Sequence, residues 1–195
     1  SFGSEVNFAS GASNNCPIRG IVYDPDANKI LISYLEESGG NIRMGIGTVS
    51  GTDLTFKDPN QLLVSENAGA IFIPLVYDTS SDRVIAAYDD TQNSDAATAI
   101  VATVDTLGTN LTSGNYIGMS RGVAVQTGSA STTSSTSTFE SATTSEIFSA
   151  YDTNSDRVVI AYRDHGNNDY GTAIVGTVSG SSISFGTPVV YFFFF

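Results

Sequence analysis

The chain has 195 residues, a formal net charge of −12 and only 14% charged residues. That length suffices for one large or two small domains around a sizeable core. A pI of about 4.1 leaves no basic surface for phosphates, which weighs against nucleic acid and against docking on anionic lipid. No apolar run approaches the ~20 residues of a membrane span, so no membrane insertion is expected.

In chain order, residues 1–10 open on SFGSEV, which matches SFGTPV at 184–189. They are expected to form the final strand of a preceding repeat, so the chain reads as beginning inside a longer array. Cys16 is the single cysteine; it permits no intrachain disulfide and no CxxC metal knuckle, and is expected to be a small buried hydrophobe.

Three copies of one phrase follow. Tyr23 and Tyr34, Tyr77 and Tyr88, and Tyr151 and Tyr162 are each 11 residues apart, and DPDANKILIS, DTSSDRVIAA and DTNSDRVVIA align between them without a gap. Downstream, GTVSGTDLTF (47–56) matches GTVSGSSISF (176–185), and ATVDTLGTNLTSG (102–114) answers in the middle copy. Repeat 1 therefore spans 17–67, repeat 2 spans 70–125 and repeat 3 spans 147–190. In repeat 3 the strands are expected at 146–151, 157–162, 170–178 and 182–190, rich in Val, Ile, Tyr and Thr between short turns. No stretch shows a 3.6-residue apolar period, so little helix is expected. RVVIAY (157–162) is apolar on both faces, as a strand between two sheets would be. The fold class is thus all-β: repeated four-stranded antiparallel units, β-propeller-like, or else an open β-repeat array or filament completed by strand exchange.

The acidic turns DPDAN, DTSSD and DTNSD loosely resemble a calcium loop. They lack the central Gly and distal Glu of an EF-hand, and read as hairpin turns. Glu36, Asp90 and Asp164 stand two residues past each second tyrosine. A glycosidase needs two or three carboxylates converging on one substrate, whereas an acid recurring in every unit suits the scaffold. His165, the lone histidine, is expected to be a solvated loop residue, since no nucleophile-elbow serine accompanies it. No catalytic, cofactor-binding or metal residue is expected. Residues 126–146 form a Ser/Thr-rich insertion or linker in which Phe139 is the one bulky residue. Such a segment reads as a mobile loop or as a stalk bearing O-linked sugars. Asn110 opens an N-glycosylation sequon, NLT. The aromatic tail, 191–195, carries Phe192 to Phe195; exposed it would promote aggregation, so it is expected either in an oligomer seam or as a tag.

YDTNSDRVVIAYRDHGNNDYGTAIVGTVSGSSISFGTPVV resembles repeats in virion structural proteins of marine phages, notably cyanophages, of tail-fibre or capsid-appendage type. LTSGNYIGMSRGVAV (111–125) is similar to a segment following such repeats. The likeness covers nearly the whole chain. It is weaker in the first copy, where LEESGGNIRMG replaces RDHGNNDYGTA, and the Ser/Thr insertion departs from it. The resemblance implies a virion or extracellular location and a non-enzymatic structural or attachment role. The expected partners are other copies of the chain or other virion or surface subunits, with a host-surface glycan as a further ligand. The alternatives are a subunit of a self-assembling cell-surface filament and a glycan-binding or glycan-cleaving propeller.

Overall fold

The computed structural model describes residues 18–36, 40–64, 72–104, 111–113, 116–117 and 136–191. Cys16, Asn110, most of the Ser/Thr-rich stretch, Phe192 to Phe195 and the expected opening strand lie outside the described residues.

The protein is all-β, with antiparallel pairing throughout the described strands. Unit 1 is a four-stranded sheet in sequence order: β1 (Ile18–Asp24), β2 (Lys29–Leu35), β3 (Ile42–Ser50) and β4 (Asp53–Val64). Unit 2 contains β5 (Leu75–Asp78), β6 (Arg83–Asp90), β7 (Ala96–Val104), the short β8 (Leu111–Ser113) and β9 (Tyr116–Ile117). Unit 3 is built from the second half of β10 (Ser137–Asp152), then β11 (Arg157–Asp164), β12 (Tyr170–Ser179), β13 (Ser182–Phe185) and β14 (Val189–Tyr191).

The three first hairpins keep one register. Asp24 pairs with Lys29, Asp78 with Arg83 and Asp152 with Arg157, leaving a four-residue turn in each case. The last turn residue, Asn28, Asp82 or Asp156, is left-handed, with φ of 53°, 54° and 55°. Asn and Asp tolerate that region better than other non-glycine residues. GTVSGTDLTF and GTVSGSSISF likewise fold into matching hairpins, with Gly47 opposite Phe56 and Gly176 opposite Phe185.

Two expectations are corrected by the strand map. The fourth strand of unit 3, expected as one piece over 182–190, is split into β13 and β14, which lie end to end along β12. The stretch 126–146 is not wholly a loop or linker, because β10 begins at Ser137. Its first half pairs with β7 as far as Thr143 and its second half with β11 from Thr144, with a bulge just beyond at Glu146, where φ is 54°. β-branched threonines suit such an edge position, and the exposed edge of β7 supplies hydrogen-bond partners that composition cannot reveal. β8 and the first half of β10 thus sit along β7 as β13 and β14 sit along β12.

The sheets pack face to face. Each unit has a forward face, on the side of the next unit, and a back face, on the side of the one before, and unit 2 is packed on both. Leu31, Ile42, Met44 and Ile46 of unit 1 meet Leu75, Tyr77, Val84, Tyr88 and Ile100 of unit 2 in one core. The opposite face of unit 2, with Ile85, Ala87, Ala99 and Val101, meets Val158, Ile160, Tyr162 and Ile174 of unit 3 in a second. Large side chains oppose small ones, as close packing demands. Burying each such Val, Leu or Ile contributes about 1.5–3 kcal/mol.

The first seam is also polar at one point. The Ser33 hydroxyl, fully buried, donates to the Ile73 carbonyl at 2.9 Å. Gly20 lies against the same carbonyl, and a Cβ there would stand 2.4 Å from the Ile73 oxygen. A backbone atom cannot swing aside as a side chain can. Gly20→Ala should therefore destabilise the protein by about 1–3 kcal/mol through the first seam. An unchanged urea midpoint would refute this close approach.

Candidate functional site

The acidic turns are closed on themselves. Asp24 Oδ1 accepts the Ala27 N–H at 2.9 Å, and Asp78 Oδ1 accepts the N–H groups of Ser80 and Ser81. Both Asp78 oxygens also take serine hydroxyls, from Ser80 and Ser81 at 2.8 Å. Asp152 repeats the pattern with Asn154 N–H and the Ser155 hydroxyl. The first tyrosine of each unit bonds across its turn: Tyr23 to Asn28, Tyr77 to Asp82 and Tyr151 to Asp156. These side-chain oxygens replace strand-ladder partners for turn N–H groups, the usual chemistry of Asx turns.

One unit also reaches the next through its turns. The Ser80 N–H donates to the Tyr151 hydroxyl at 3.2 Å, and Arg83 Nε donates to the Gly180 carbonyl at 3.2 Å. Burial would raise the Asp78 pKa, but hydrogen bonds from Tyr151, Ser81 and Ser80 outweigh it and hold the carboxyl below the usual range. Burial first, then the charges of Asp24 and Asp82, pushes the Tyr77 hydroxyl up. Tyr77 therefore sits against the turn of the unit before it.

Glu36, Asp90 and Asp164 each serve their own unit. Glu36 accepts from Asn41 at 2.8 Å and pairs with Arg43 at 2.9 Å. The Asn41 bond, reinforced by Arg43 against a partial burial penalty, keeps its carboxyl below the usual range. Asp90 caps the 3-10 turn Thr91–Asn93 through the Gln92 N–H at 3.1 Å. Asp164 opens the matching turn His165–Asn167 without capping it, and its buried Oδ1 has no partner among the described residues. Glu140, on the first half of β10, joins it beside Tyr162, where burial and then the two carboxylate charges raise the phenol pKa.

Beside that seam lies the constellation the sequence did not reveal. His165 Nε2 is 2.9 Å from Ser145 Oγ, and its Nδ1 meets the Asp169 carboxylate. Arg163 pairs with Asp169 at 3.2 Å and with Glu146 at 3.7 Å. The His165 bond, then Arg163, keeps the exposed Asp169 carboxyl below the usual range despite slight burial. His165, expected as a solvated loop residue, is exposed in the turn after β11 and is also bonded on both ring nitrogens. Ser145 carries no motif, and only the β10–β11 bulge brings it opposite Arg163. A hydroxyl, an imidazole and a carboxylate in a row are the parts of nucleophilic catalysis. Among the described residues, no group of three or more His, Cys, Asp and Glu side chains is placed to hold a metal ion.

Comparison with protein-family profiles, curated proteins and solved structures finds no match.

Proposed function

We propose that the chain is a non-enzymatic structural and attachment module of a virion or extracellular surface. In its most concrete form it is part of a phage appendage whose propeller-like units carry host-binding loops. The observation that carries this reading is the threefold use of one hairpin, in which the recurring acids close turns and the recurring faces join units. Chemistry repeated in every unit serves the scaffold, which leaves the non-repeating loops for contact. The likeness to marine phage repeats supports the same reading.

Two assays on the purified chain test it: adsorption to cyanobacterial and other marine bacterial cells, and a glycan array. Saturable adsorption or capture of a sugar class, without release of soluble product, is the expected result. Silence in both removes the attachment role.

The row Ser145, His165 and Asp169 favours a second reading, a serine hydrolase. The row lies at the surface with Ser145 half-buried, and Arg163 shares Asp169, so it serves first as a staple between β10 and the turn after β11. A fluorophosphonate probe separates the two. Labelling that disappears in Ser145→Ala makes the chain an enzyme, and absence of labelling fits the attachment reading.

A further inference from the structure

The forward face of unit 3, turned away from unit 2, is an apolar surface open to solvent. On the forward face of unit 2, Ile85, Ala87, Ala99 and Val101 are at most 2% exposed because unit 3 lies on them. The same register positions of unit 3 hold Val159, Ala161, Ala173 and Val175. Val175 is 45% exposed, and at the two margins of the face Phe148 and Val189 are 63% and 65% exposed. Phe148 keeps that exposure although its ring centroid lies 6.3 Å from that of Phe72. A contiguous apolar patch of this kind marks an interaction surface.

We infer that the forward face of unit 3 binds the same face of a second copy of this chain about a two-fold axis, giving a closed dimer. This deepens the structural-module reading by naming its partner, and rests on it.

Size matching across the face favours that occupant. Residues paired across neighbouring strands share one side of a sheet, so the register gives two adjacent rows. One row is Phe148, Ala161, Ala173 and Val189, which runs large, small, small, large. The next is Ala150, Val159, Val175 and Gly186, which runs small, large, large, small. Gly186 is placed there by its N–H bond to the Val175 carbonyl at 2.9 Å. A two-fold axis between the stacked sheets, running across the strands midway between the rows, lays each row on the other row of the second copy. Phe148 then meets Ala150, Val159 meets Ala161, Val175 meets Ala173 and Val189 meets Gly186. Each contact sets a large side chain on a small one, as close packing demands.

Unit 2 shows that this pattern is not inherited from the repeat. At the places of Phe148 and Ala150 it holds Pro74 and Val76, a pair without that contrast of size. Unit 3 thus departs from unit 2 at two positions the self-contact uses, which favours a second copy over a further repeat sheet. Charge stays at the ends of the face, with Arg157 at one and Arg163, held by Glu146 and Asp169, at the other. The centre is apolar and the rim polar, the usual anatomy of an interface. Four strands about 4.8 Å apart and a length of ~20 Å from Arg157 to Arg163 give a flat area of about 400 Å² per copy. The pair covers about 800 Å² before side-chain relief is counted, at the small end of specific interfaces, which suits a dimer dissociating in the micromolar range. Such a contact is isologous, so it closes at two copies.

The test measures mass by analytical ultracentrifugation from about 1 μM to about 1 mM. It compares the 195-residue chain with Val175→Glu and Ala173→Lys, using circular dichroism to verify folding. The unaltered chain should double its mass with concentration and stop there. Each variant alone should stay monomeric, because the two-fold axis buries its new charge twice without a partner. An equimolar mixture of the two should recover the dimer, because residue 175 of one copy faces residue 173 of the other. One such pair then sets a carboxylate on an ammonium, and the second pair is unaltered. An unaltered chain that is monomeric throughout overturns the contact whatever the variants do. Mass growing past the dimer also overturns it, since an unlike face is then the occupant. So does a variant that still dimerises, or a mixture that stays monomeric. Monomer and dimer can each be taken into the adsorption and glycan assays, so the attachment reading stands or falls separately.

Discussion

Tyr162→Ala should lower stability by about 3–5 kcal/mol, read as a reduced urea midpoint. The Tyr162 side chain is 2% exposed in the second core, edge-on to Phe139. Removing it leaves a cavity at the point where unit 2, the first half of β10 and unit 3 converge. Tyr162→Phe keeps the ring and loses only a hydroxyl facing Glu140 and Asp164, so its effect should stay within about 1.5 kcal/mol. Tyr23→Ala is the informative contrast, because Tyr23 is 49% exposed in unit 1 whereas Tyr77, at the same repeat position of unit 2, is 8% exposed. Its cost should be about 1 kcal/mol or less. Equal losses for Tyr23→Ala and Tyr77→Ala would contradict face-to-face packing of the units.

The second large effect is at a turn. Asp78→Ala removes the acceptor for two backbone N–H groups and two serine hydroxyls, at a carboxylate only 1% exposed. A loss of about 3 kcal/mol is expected, since buried donors left without partners are costly. Asp152→Ala, in the exposed turn of unit 3, should cost clearly less. The pH dependence has a definite sign. Burial raises the Asp78 pKa, yet the bonds from Tyr151, Ser81 and Ser80 carry it below its unfolded value. Its contribution is then complete above the ordinary carboxylate pKa of about 3.9 and fades as pH falls through the folded value. The stability gap between the parent and Asp78→Ala should narrow in acid. A gap that is constant from neutral pH to pH 2 would assign the loss to packing rather than to the charged acceptor.

Much of this was legible because repetition tests itself. One YD hairpin could be a metal loop, but three with the same spacing and different acids point to turn chemistry. The left-handed φ at Asn28, Asp82 and Asp156 shows why only Asn and Asp occupy that position. Residues that repeat nothing were harder to read. Ser145 carries no motif, and its approach to His165 depends on a one-residue bulge at Glu146. Thr138 and Phe139 sat in a Ser/Thr-rich run that composition assigns to a loop, and only the free edge of β7 turns them into strand.

The sequence by itself determined the all-β class, the register of the three first hairpins and the matching glycine turns, because each follows from local alternation and turn residues. Only the tertiary structure decided which apolar faces are covered. RVIAAY and RVVIAY are nearly the same strand, yet β6 is buried on both faces and β11 alternates between buried and half-exposed. Position in the stack is the cause: among the described residues, unit 2 has a neighbouring sheet on each side and unit 3 has one.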